Sequence, residues 1–169
     1  MDVTGYHLSA RYAKTLRLVG RVADQAATLV QQRMRERMPA TSIQVVDGKR
    51  YLQALVEGQQ AVLSTSRLPN RRSDPSVYGA TTLSPTGVLI LINAKACADP
   101  TNLVETVVHE LVHSVQYGRP GNRENAIKGL RNNYGIEPMS WRGAWKINRI
   151  HDRDELEAQA LEVLAREIR

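Results

Sequence analysis

The sequence predicts an α+β fold in which helices surround a small mixed sheet. Three observations predict it: a long opening segment with helical spacing of apolar residues, short β-rich runs joined by a tight turn, and further helical segments after them. The chain has 169 residues, 42% of them hydrophobic, which is typical of one globular domain. We therefore expect a single domain over 1–169, with a helical extension at 1–40 and a core at 78–165.

The first third of the chain is predicted to be one long helix followed by short elements. Residues 8–38 contain no proline and repeat apolar side chains at about helical spacing, with an interruption allowed near Gly20. Pro39 ends this helix. A strand, a short helix and an arginine-rich loop are expected next, at 42–47, 51–56 and 67–76.

A β-hairpin and three helical or irregular segments complete the prediction. Strands at 78–83 and 88–93 flank a turn that contains Pro85 and Gly87, and the second strand is apolar enough to be buried on both faces. Asp99 can cap a helix that begins at Pro100 and ends at Tyr117. The remaining segments are a helix, an irregular stretch with both tryptophans, and a helix to the C-terminus, at 122–133, 134–148 and 152–169.

Composition limits the chemistry and the partners. The single cysteine, Cys97, excludes an intramolecular disulfide and a multi-cysteine zinc site, so a metal would be held by His, Asp or Glu. No apolar run approaches the roughly 18 to 20 residues that cross a bilayer, and the start lacks a leader pattern, so we expect a cytoplasmic protein without a membrane partner. The formal net charge of +6 favours nucleic acid as a partner of the basic surface.

The most informative residues are His109-Glu110-Leu111-Val112-His113, an H-E-x-x-H pattern inside a predicted helix. The two histidines lie one helical turn apart on one face, so both imidazoles can bind the same ion, and Glu110 can reach a water bound to it. Apolar residues surround the motif, and burying these polar groups without a partner would cost on the order of several kcal/mol. A metal would supply the partner; histidines bonded to backbone or carboxylate groups are the alternative.

A third ligand has to come from another segment, because a catalytic zinc has three protein ligands and an open fourth position. The other histidines, His7 and His151, neighbour predicted helix starts, where a surface or capping role is the simpler interpretation. The last helix offers Glu155 and Glu157, on a segment with enough alanine and leucine to pack closely against another helix.

Together these segments resemble the zincin metallopeptidases of the glutamate-ligand (gluzincin) branch, in which H-E-x-x-H lies on one helix and a later helix supplies a ligand glutamate. The chain is also similar to small bacterial and phage metallopeptidase-like domains with H-E-x-x-H-x-x-Q, completed here by Gln116, and a later E-x-E-A at 155–158. The resemblance covers about 78–165. It implies a minimal zincin-like fold, in which an edge hairpin packs against the motif helix and a C-terminal ligand helix.

The choice between the two glutamates stays open at this point. Positions i and i+2 point to nearly opposite sides of a helix. The apolar stripe of the last helix lies nearer Glu157; it consists of Leu156, Ala160, Val163 and Leu164. The resemblance favours Glu155, because a small and a polar residue follow it by three and four positions, Ala158 and Gln159, although the family more often has Asp in the second place. We take Glu155 as the ligand and Glu157 as the alternative.

The resemblance implies hydrolysis of a peptide bond with one Zn²⁺ per chain. Three residues would hold the ion, with Glu110 as general base and proton donor: His109, His113 and Glu155. An oxyanion stabiliser is expected among Tyr117, Tyr134 and His151. The strand at 88–93 would offer its edge to an extended peptide, and the substrate would be one or few proteins.

Two other functions remain open. The basic clusters at 33–37, 67–72 and 119–131 favour a nucleic-acid-binding module in which the motif is structural, although no zinc finger or aromatic stacking motif accompanies them. An inactive zincin relative could instead serve as an assembly or virion component, with the helix at 8–38 packed on a partner. A phage-associated location would suit the second alternative.

Overall fold

The computed structural model describes residues 1–70 and 77–168, and its elements confirm the predicted α+β class. In chain order they are β1 (Asp2–Tyr6), a 3₁₀ helix (Ala10–Tyr12), α1 (Ala13–Met34), β2 (Thr41–Val46), α2 (Tyr51–Leu63), β3 (Gly79–Ser84), β4 (Gly87–Asn93), α3 (Pro100–Tyr117), α4 (Asn122–Asn133), α5 (Trp141–Leu161) and a second 3₁₀ helix (Glu162–Glu167). None of the helices in these ranges has the length and apolar character needed to cross a membrane.

The four strands form one mixed sheet in the order β1-β2-β4-β3. Strands β1, β2 and β4 are parallel, and β3 pairs with β4 in antiparallel register. Because β4 lies between β2 and β3, the expectation that 88–93 offers a free edge is wrong. The Val-Leu-Ile-Leu-Ile run is apolar on both faces and takes a central position, so the free edge of the hairpin belongs to β3.

Strand β1 has no counterpart among the predicted elements. Its sequence, Asp-Val-Thr-Gly-Tyr, has a single strongly apolar residue, Val3, and carries little strand signal of its own. It becomes a strand by pairing in parallel with β2, and α1 returns over the sheet to complete a β1–α1–β2 unit. The segment 1–40, expected as a helical extension, therefore contributes a strand to the sheet.

Helices cover both faces of the sheet. Helices α1 and α3 pack on one face, where their valines, leucines and alanines meet side chains of β2 and β4: Ile43, Val45, Ile90 and Ile92. Helix α2 covers the other face and meets Val46, Leu89 and Leu91. Successive residues of β4 thus enter different cores, which confirms that this strand is buried on both faces.

Local capping explains which helix boundaries the sequence predicts. The carboxylate of Asp99 accepts the Asn102 N–H at 2.9 Å and Pro100 occupies the first turn, so α3 has its predicted bounds. Helix α4 also has its predicted bounds, Asn122 and Asn133. Helix α1 is continuous through Gly20 and ends at Met34, because Arg35 adopts a left-handed conformation with φ 55°.

Three other boundaries differ from the prediction. Helix α2 continues through Gly58 to Leu63. Helix α5 begins at Trp141, inside the stretch expected to be irregular, because the Ser140 hydroxyl accepts the Gly143 N–H at 3.2 Å and caps the first turn. The same helix ends at Leu161 and gives way to a 3₁₀ helix instead of running to the C-terminus. Of the predicted loop at 67–76, residues 71–76 lie outside the described residues.

Candidate metal centre

Helix α3 presents two adjacent rows of polar side chains. His109, His113 and Gln116 occupy positions i, i+4 and i+7, which share one face of the helix. Glu110 and Tyr117 form the neighbouring row and contact the same strand, β3, through Thr81. The other sides of α3 pack into the core with α1 and the sheet, so the helix is held firmly and both rows have fixed directions.

Three side chains from two helices converge at this face. The Nε2 atoms of His109 and His113 are 3.1 Å apart. The carboxylate of Glu155, on α5, completes the group: its Oε1 is 3.3 Å from the His109 Nε2 and its Oε2 is 3.2 Å from the His113 Nε2. These three residues form a group of donors able to hold one metal ion.

The remaining ring nitrogens indicate the tautomer of each histidine. The Nδ1 of His109 lies 2.8 Å from a carboxylate oxygen of Glu162, and the Nδ1 of His113 lies 2.7 Å from the amide oxygen of Gln116. Because the amide nitrogen of Gln116 donates to the Asp154 carbonyl at 2.8 Å, its oxygen is the atom that faces His113. An Nδ1 that donates to these acceptors leaves Nε2 as the ring nitrogen that faces the other histidine and Glu155.

The chemistry of this donor set fits a divalent cation. Two imidazole lone pairs and a carboxylate repel one another when nothing positive lies between them. Zinc bonds to His and Glu are about 2.0–2.1 Å long, so ligand atoms at the corners of a tetrahedron around Zn²⁺ lie about 3.3 Å apart. The Nε2–Nε2 separation of 3.1 Å is close to that edge length, and each Nε2 has one oxygen of the Glu155 carboxylate within 3.3 Å.

Glu155 lies next to the two histidines, whereas Glu157 contacts Arg119 and Gln116. Glu157 accepts hydrogen bonds from Arg119 and from the amide nitrogen of Gln116, both at 2.9 Å, and the Arg119 bond lowers the pKa of its carboxyl. The predicted apolar stripe near Glu157 does not face the core along α5: Leu156 is 67% exposed and Val163 is 49% exposed, and only Leu164, in the following 3₁₀ helix, is buried. The side of α5 that meets α3 instead contains a different set, Asp154, Ala158 and Leu161.

Glu110 is enclosed between α3 and β3. Its carboxylate accepts the Thr81 hydroxyl at 2.7 Å, and its side chain is 6% exposed. Burial raises the pKa of this carboxyl to about 7, although the Thr81 hydrogen bond acts in the opposite direction. Gly79 leaves the space that Glu110 occupies, because a Cβ at that position would lie 2.8 Å from the Glu110 Oε1.

Two hollows meet at the convergent residues. One has a volume of about 450 Å³ and extends between α3, α4 and α5; the other, of about 410 Å³, lies on the side of Glu162 and Thr106. Both are bordered by His109, Glu110 and Glu155, and both reach Val77 and Gly79 at the start of the edge strand β3. The two hollows therefore form a groove beside the free edge of β3, with the candidate ligands in its wall.

The structure separates the three candidate oxyanion donors. Tyr117 and His151 line the larger hollow, and burial raises the pKa of Tyr117 to about 12, so its hydroxyl keeps its proton. Tyr134 belongs elsewhere: its hydroxyl donates to Gln59 on α2 at 2.9 Å. Tyr134 is therefore excluded as a donor at this site, and its role is to fasten the segment after α4 to α2.

Several residues of the site have no counterpart among the predicted ones. Glu162, which accepts from His109, follows Glu155 by seven residues, and this spacing of two turns could have indicated a shared face. Gln159, which stands four residues after Glu155 where the resembling family more often has Asp, is exposed. Thr81 and Gly79 shape the surroundings of Glu110 through tertiary contacts, for which the sequence has no local signal.

Comparison with known proteins gives no match for this chain. No protein-family model matches it, and neither does any curated protein or solved structure. A function for the centre therefore depends on its own geometry and chemistry.

Proposed function

We propose that the protein is a zinc-dependent peptidase that binds one Zn²⁺ and hydrolyses peptide bonds. A single observation carries the proposal: the Nε2 atoms of two histidines and one carboxylate converge, with contacts of 3.1 to 3.3 Å, next to the buried carboxylate of Glu110, in the wall of a groove. His109, His113 and Glu155 are the proposed ligands. Glu162 and Gln116 orient the two imidazoles by accepting their Nδ1 protons.

The residues around the ligands have complementary tasks. When bound, Zn²⁺ lowers the pKa of a coordinated water to about 7 and polarises a carbonyl group. Glu110 accepts the proton of the attacking water and passes it to the leaving amine, a task suited to a carboxyl whose pKa is raised to about 7. The Tyr117 hydroxyl and the His151 imidazole, which line the same hollow, are the candidate donors to the oxyanion.

The substrate is proposed to be an extended segment of one or few proteins. Strand β3 ends the sheet, so its outer backbone N–H and C=O groups can pair with an added strand. Val77, Ala80, Ile147 and Ile150 make the larger hollow apolar on several sides, which suits an aliphatic side chain of the substrate. We also propose a cytoplasmic or phage-associated setting, since the only thiol, Cys97, is unpaired and buried.

Metal content and hydrolysis test the proposal together. We expect purified protein to contain about one zinc per chain and to cleave members of a peptide library, as followed by mass spectrometry. Glu110→Gln should keep the zinc and reduce cleavage by about a hundredfold or more, because the general base is lost. Glu124→Gln, at an exposed position of α4, is the matched control and should leave both measurements unchanged.

The outcomes separate the parts of the proposal. Absence of bound zinc after reconstitution would overturn both the metal site and the peptidase. Bound zinc without cleavage of a broad library would leave the metal site and overturn the peptidase. Cleavage that Glu110→Gln does not reduce would overturn the assigned role of Glu110.

A further inference from the structure

The first half of α5 exposes both tryptophans of the chain. Trp141 is 74% exposed and Trp145 is 58% exposed, and their spacing of four residues puts them on one side of the helix. Three basic residues share this exposed surface, which we call the tryptophan face: it comprises Trp141, Arg142, Trp145, Lys146 and Arg149. Two large aromatic side chains in water on one helix surface mark an interaction site.

The packing of α5 fixes the direction of this face. On the other side of the same turns, Ala144, Ile147 and Ile150 are half-buried, and the two isoleucines line the larger hollow. Further along the helix, Asp154 and Ala158 are buried against the body of the protein. Because the helix is held from that side, the tryptophans cannot turn inward without removing these contacts.

The tryptophan face carries three cations, and the nearest acidic residue along the helix is Asp152. Residues 138–151 contain no Asp or Glu, and within 1–70 and 77–168 none of the three cations forms an ion pair. The guanidinium of Arg142 lies 5.8 Å from the Trp141 ring centre, and that of Arg149 lies 5.6 Å from the Trp145 ring centre. The face therefore combines two exposed indole rings with guanidinium groups that lie over part of them.

Three arginines of the basic clusters noted in the sequence form ion pairs within the protein. Arg33 pairs with Glu167 at 3.6 Å, Arg119 with Glu36 at 2.8 Å and Arg131 with Glu137 at 2.9 Å. These three arginines have carboxylates to satisfy them, whereas the cations beside the tryptophans do not. Because Arg35, Arg37 and Lys128 of those clusters also form no ion pair in the described chain, the feature that distinguishes the tryptophan face is its two exposed indole rings beside the cations.

We infer that the tryptophan face binds single-stranded nucleic acid. Bases would stack on the two indole rings, and Arg142, Lys146 and Arg149 would pair with phosphates, which is the combination that sequence-tolerant single-strand binders use. Four helical residues advance about 6 Å, whereas stacked bases in a duplex strand are about 3.4 Å apart. Both rings can therefore engage successive bases only where the bases are unstacked, as in a single strand.

A membrane surface fits this face less well. An interfacial helix buries a broad apolar side made of several Leu, Phe or Trp residues. Here the aliphatic residues Ile147 and Ile150 point to the protein, and the exposed side holds two tryptophans among polar residues. Binding to anionic lipid vesicles is nevertheless one outcome that the test separates.

Because the chain has only two tryptophans, their fluorescence reports directly on the proposed site. We expect a twelve-nucleotide oligo(dT) to quench it, and a labelled oligonucleotide to show saturable binding by anisotropy. Neutralising three phosphates should give a slope of about −2 for log K against log salt. Trp145→Ala should weaken binding about tenfold, Trp145→Phe should weaken it less, and Trp145→Leu should behave like Trp145→Ala, because stacking requires a ring.

A matched pair of charge variants completes the test. Arg142→Ala with Arg149→Ala should weaken binding at least tenfold and reduce the salt slope by about 1.4. Arg17→Ala with Arg21→Ala removes the same charge from an exposed part of α1 and should have little effect. Circular dichroism and zinc content, expected to be unchanged in all variants, separate loss of binding from loss of folding or of the metal site.

Several results would overturn the inference. Absence of oligonucleotide binding would do so, whether or not phosphatidylserine vesicles bind and shift the tryptophan emission. Equal losses from the two arginine pairs would show a response to net charge and not to this face. Tighter binding of a duplex than of the single strand would also contradict it.

Discussion

The two halves of α5 have the same backbone and opposite surroundings. Residues 152–161 pack against α3, and three of the four acidic side chains there have a partner: Asp154 and Glu157 pair with Arg119, and Glu155 meets the two histidines. Residues 141–151 touch the body of the protein only with their half-buried side. Their exposed side carries two tryptophans and three cations without ion pairs in the described chain.

The difference shows how the tertiary environment sorts the side chains of a helix. The three carboxylates that are at least partly buried, those of Asp154, Glu155 and Glu157, occur where α3 and the segment after it supply partners, since a buried charge without a partner is costly. Ala158 is fully buried, and its small side chain lets α5 approach α3 closely enough for Glu155 to reach the histidines. The half of the helix beyond this contact is free to present residues to an outside partner.

Replacing each of the two glutamates by glutamine in turn should give the largest effect, which is on zinc affinity. It is also the most direct test of the difference between the two residues. Glu155→Gln should weaken zinc binding by at least about a hundredfold, because it removes a charged ligand. Glu157→Gln should weaken it by about tenfold at most, because Glu157 reaches His113 only through Gln116. Competition with a chromophoric zinc chelator measures both, and an equal or reversed loss would contradict the placement of Glu155.

Removing Arg119 should have the next largest effect, on stability. Its guanidinium serves Glu36, Asp154 and Glu157, so Arg119→Met leaves the mostly buried Asp154 with a weaker set of partners. Because Glu36 and Glu157 are each about one-third exposed, we expect a loss of about 2–3 kcal/mol in the free energy of unfolding, below the value for a fully buried pair.

Urea denaturation measures this loss, with Arg142→Met as the control from the other half of α5. The control should change the free energy of unfolding by less than about 0.5 kcal/mol, as expected for an exposed residue. Similar losses of free energy of unfolding in the two variants would contradict the view that ion pairs hold residues 152–161, and not residues 141–151, to the rest of the protein.

Replacing Ala158 by a larger residue tests, through side-chain packing, which side of α5 is docked on α3. Ala158 is fully buried, so Ala158→Leu should force α5 away from α3 and cost about 2 kcal/mol in urea denaturation. Leu156, two residues earlier, is 67% exposed, and Leu156→Ala should cost less than about 0.5 kcal/mol. If Leu156→Ala were the more damaging change, the docked side of α5 would have been assigned incorrectly.

The smallest expected effect concerns the start of α5. Ser140→Ala removes the hydroxyl that caps the helix and should cost about 1 kcal/mol, whereas Ser140→Asn should preserve the cap. Hydrogen exchange should be faster in the first turn of α5 and unchanged at 152–161. An equal increase along the whole helix would show that its two halves open as one unit.

Elements with strong local signals could be predicted from the sequence. Asp99 and Pro100 define the start of α3, and the apolar run of β4 identifies a doubly buried strand. Strand β1 was missed because its short polar sequence is stabilised by pairing with β2. The start of α5 was missed because Gly143 and the two tryptophans suggest irregular chain, while the cap that decides it is the single hydroxyl of Ser140.

The sequence by itself determined the donor types and their spacing along each helix. It placed His109, Glu110 and His113 on α3 and offered Glu155 and Glu157 on α5, because helical periodicity states which residues share a face. Periodicity does not state where a face points. The docking of α5 and of the following 3₁₀ helix on α3 decided that Glu155 meets the histidines, that Glu162 meets the Nδ1 of His109, and that both tryptophans face water. These outcomes depend on contacts between segments distant in sequence, which only the folded chain brings together.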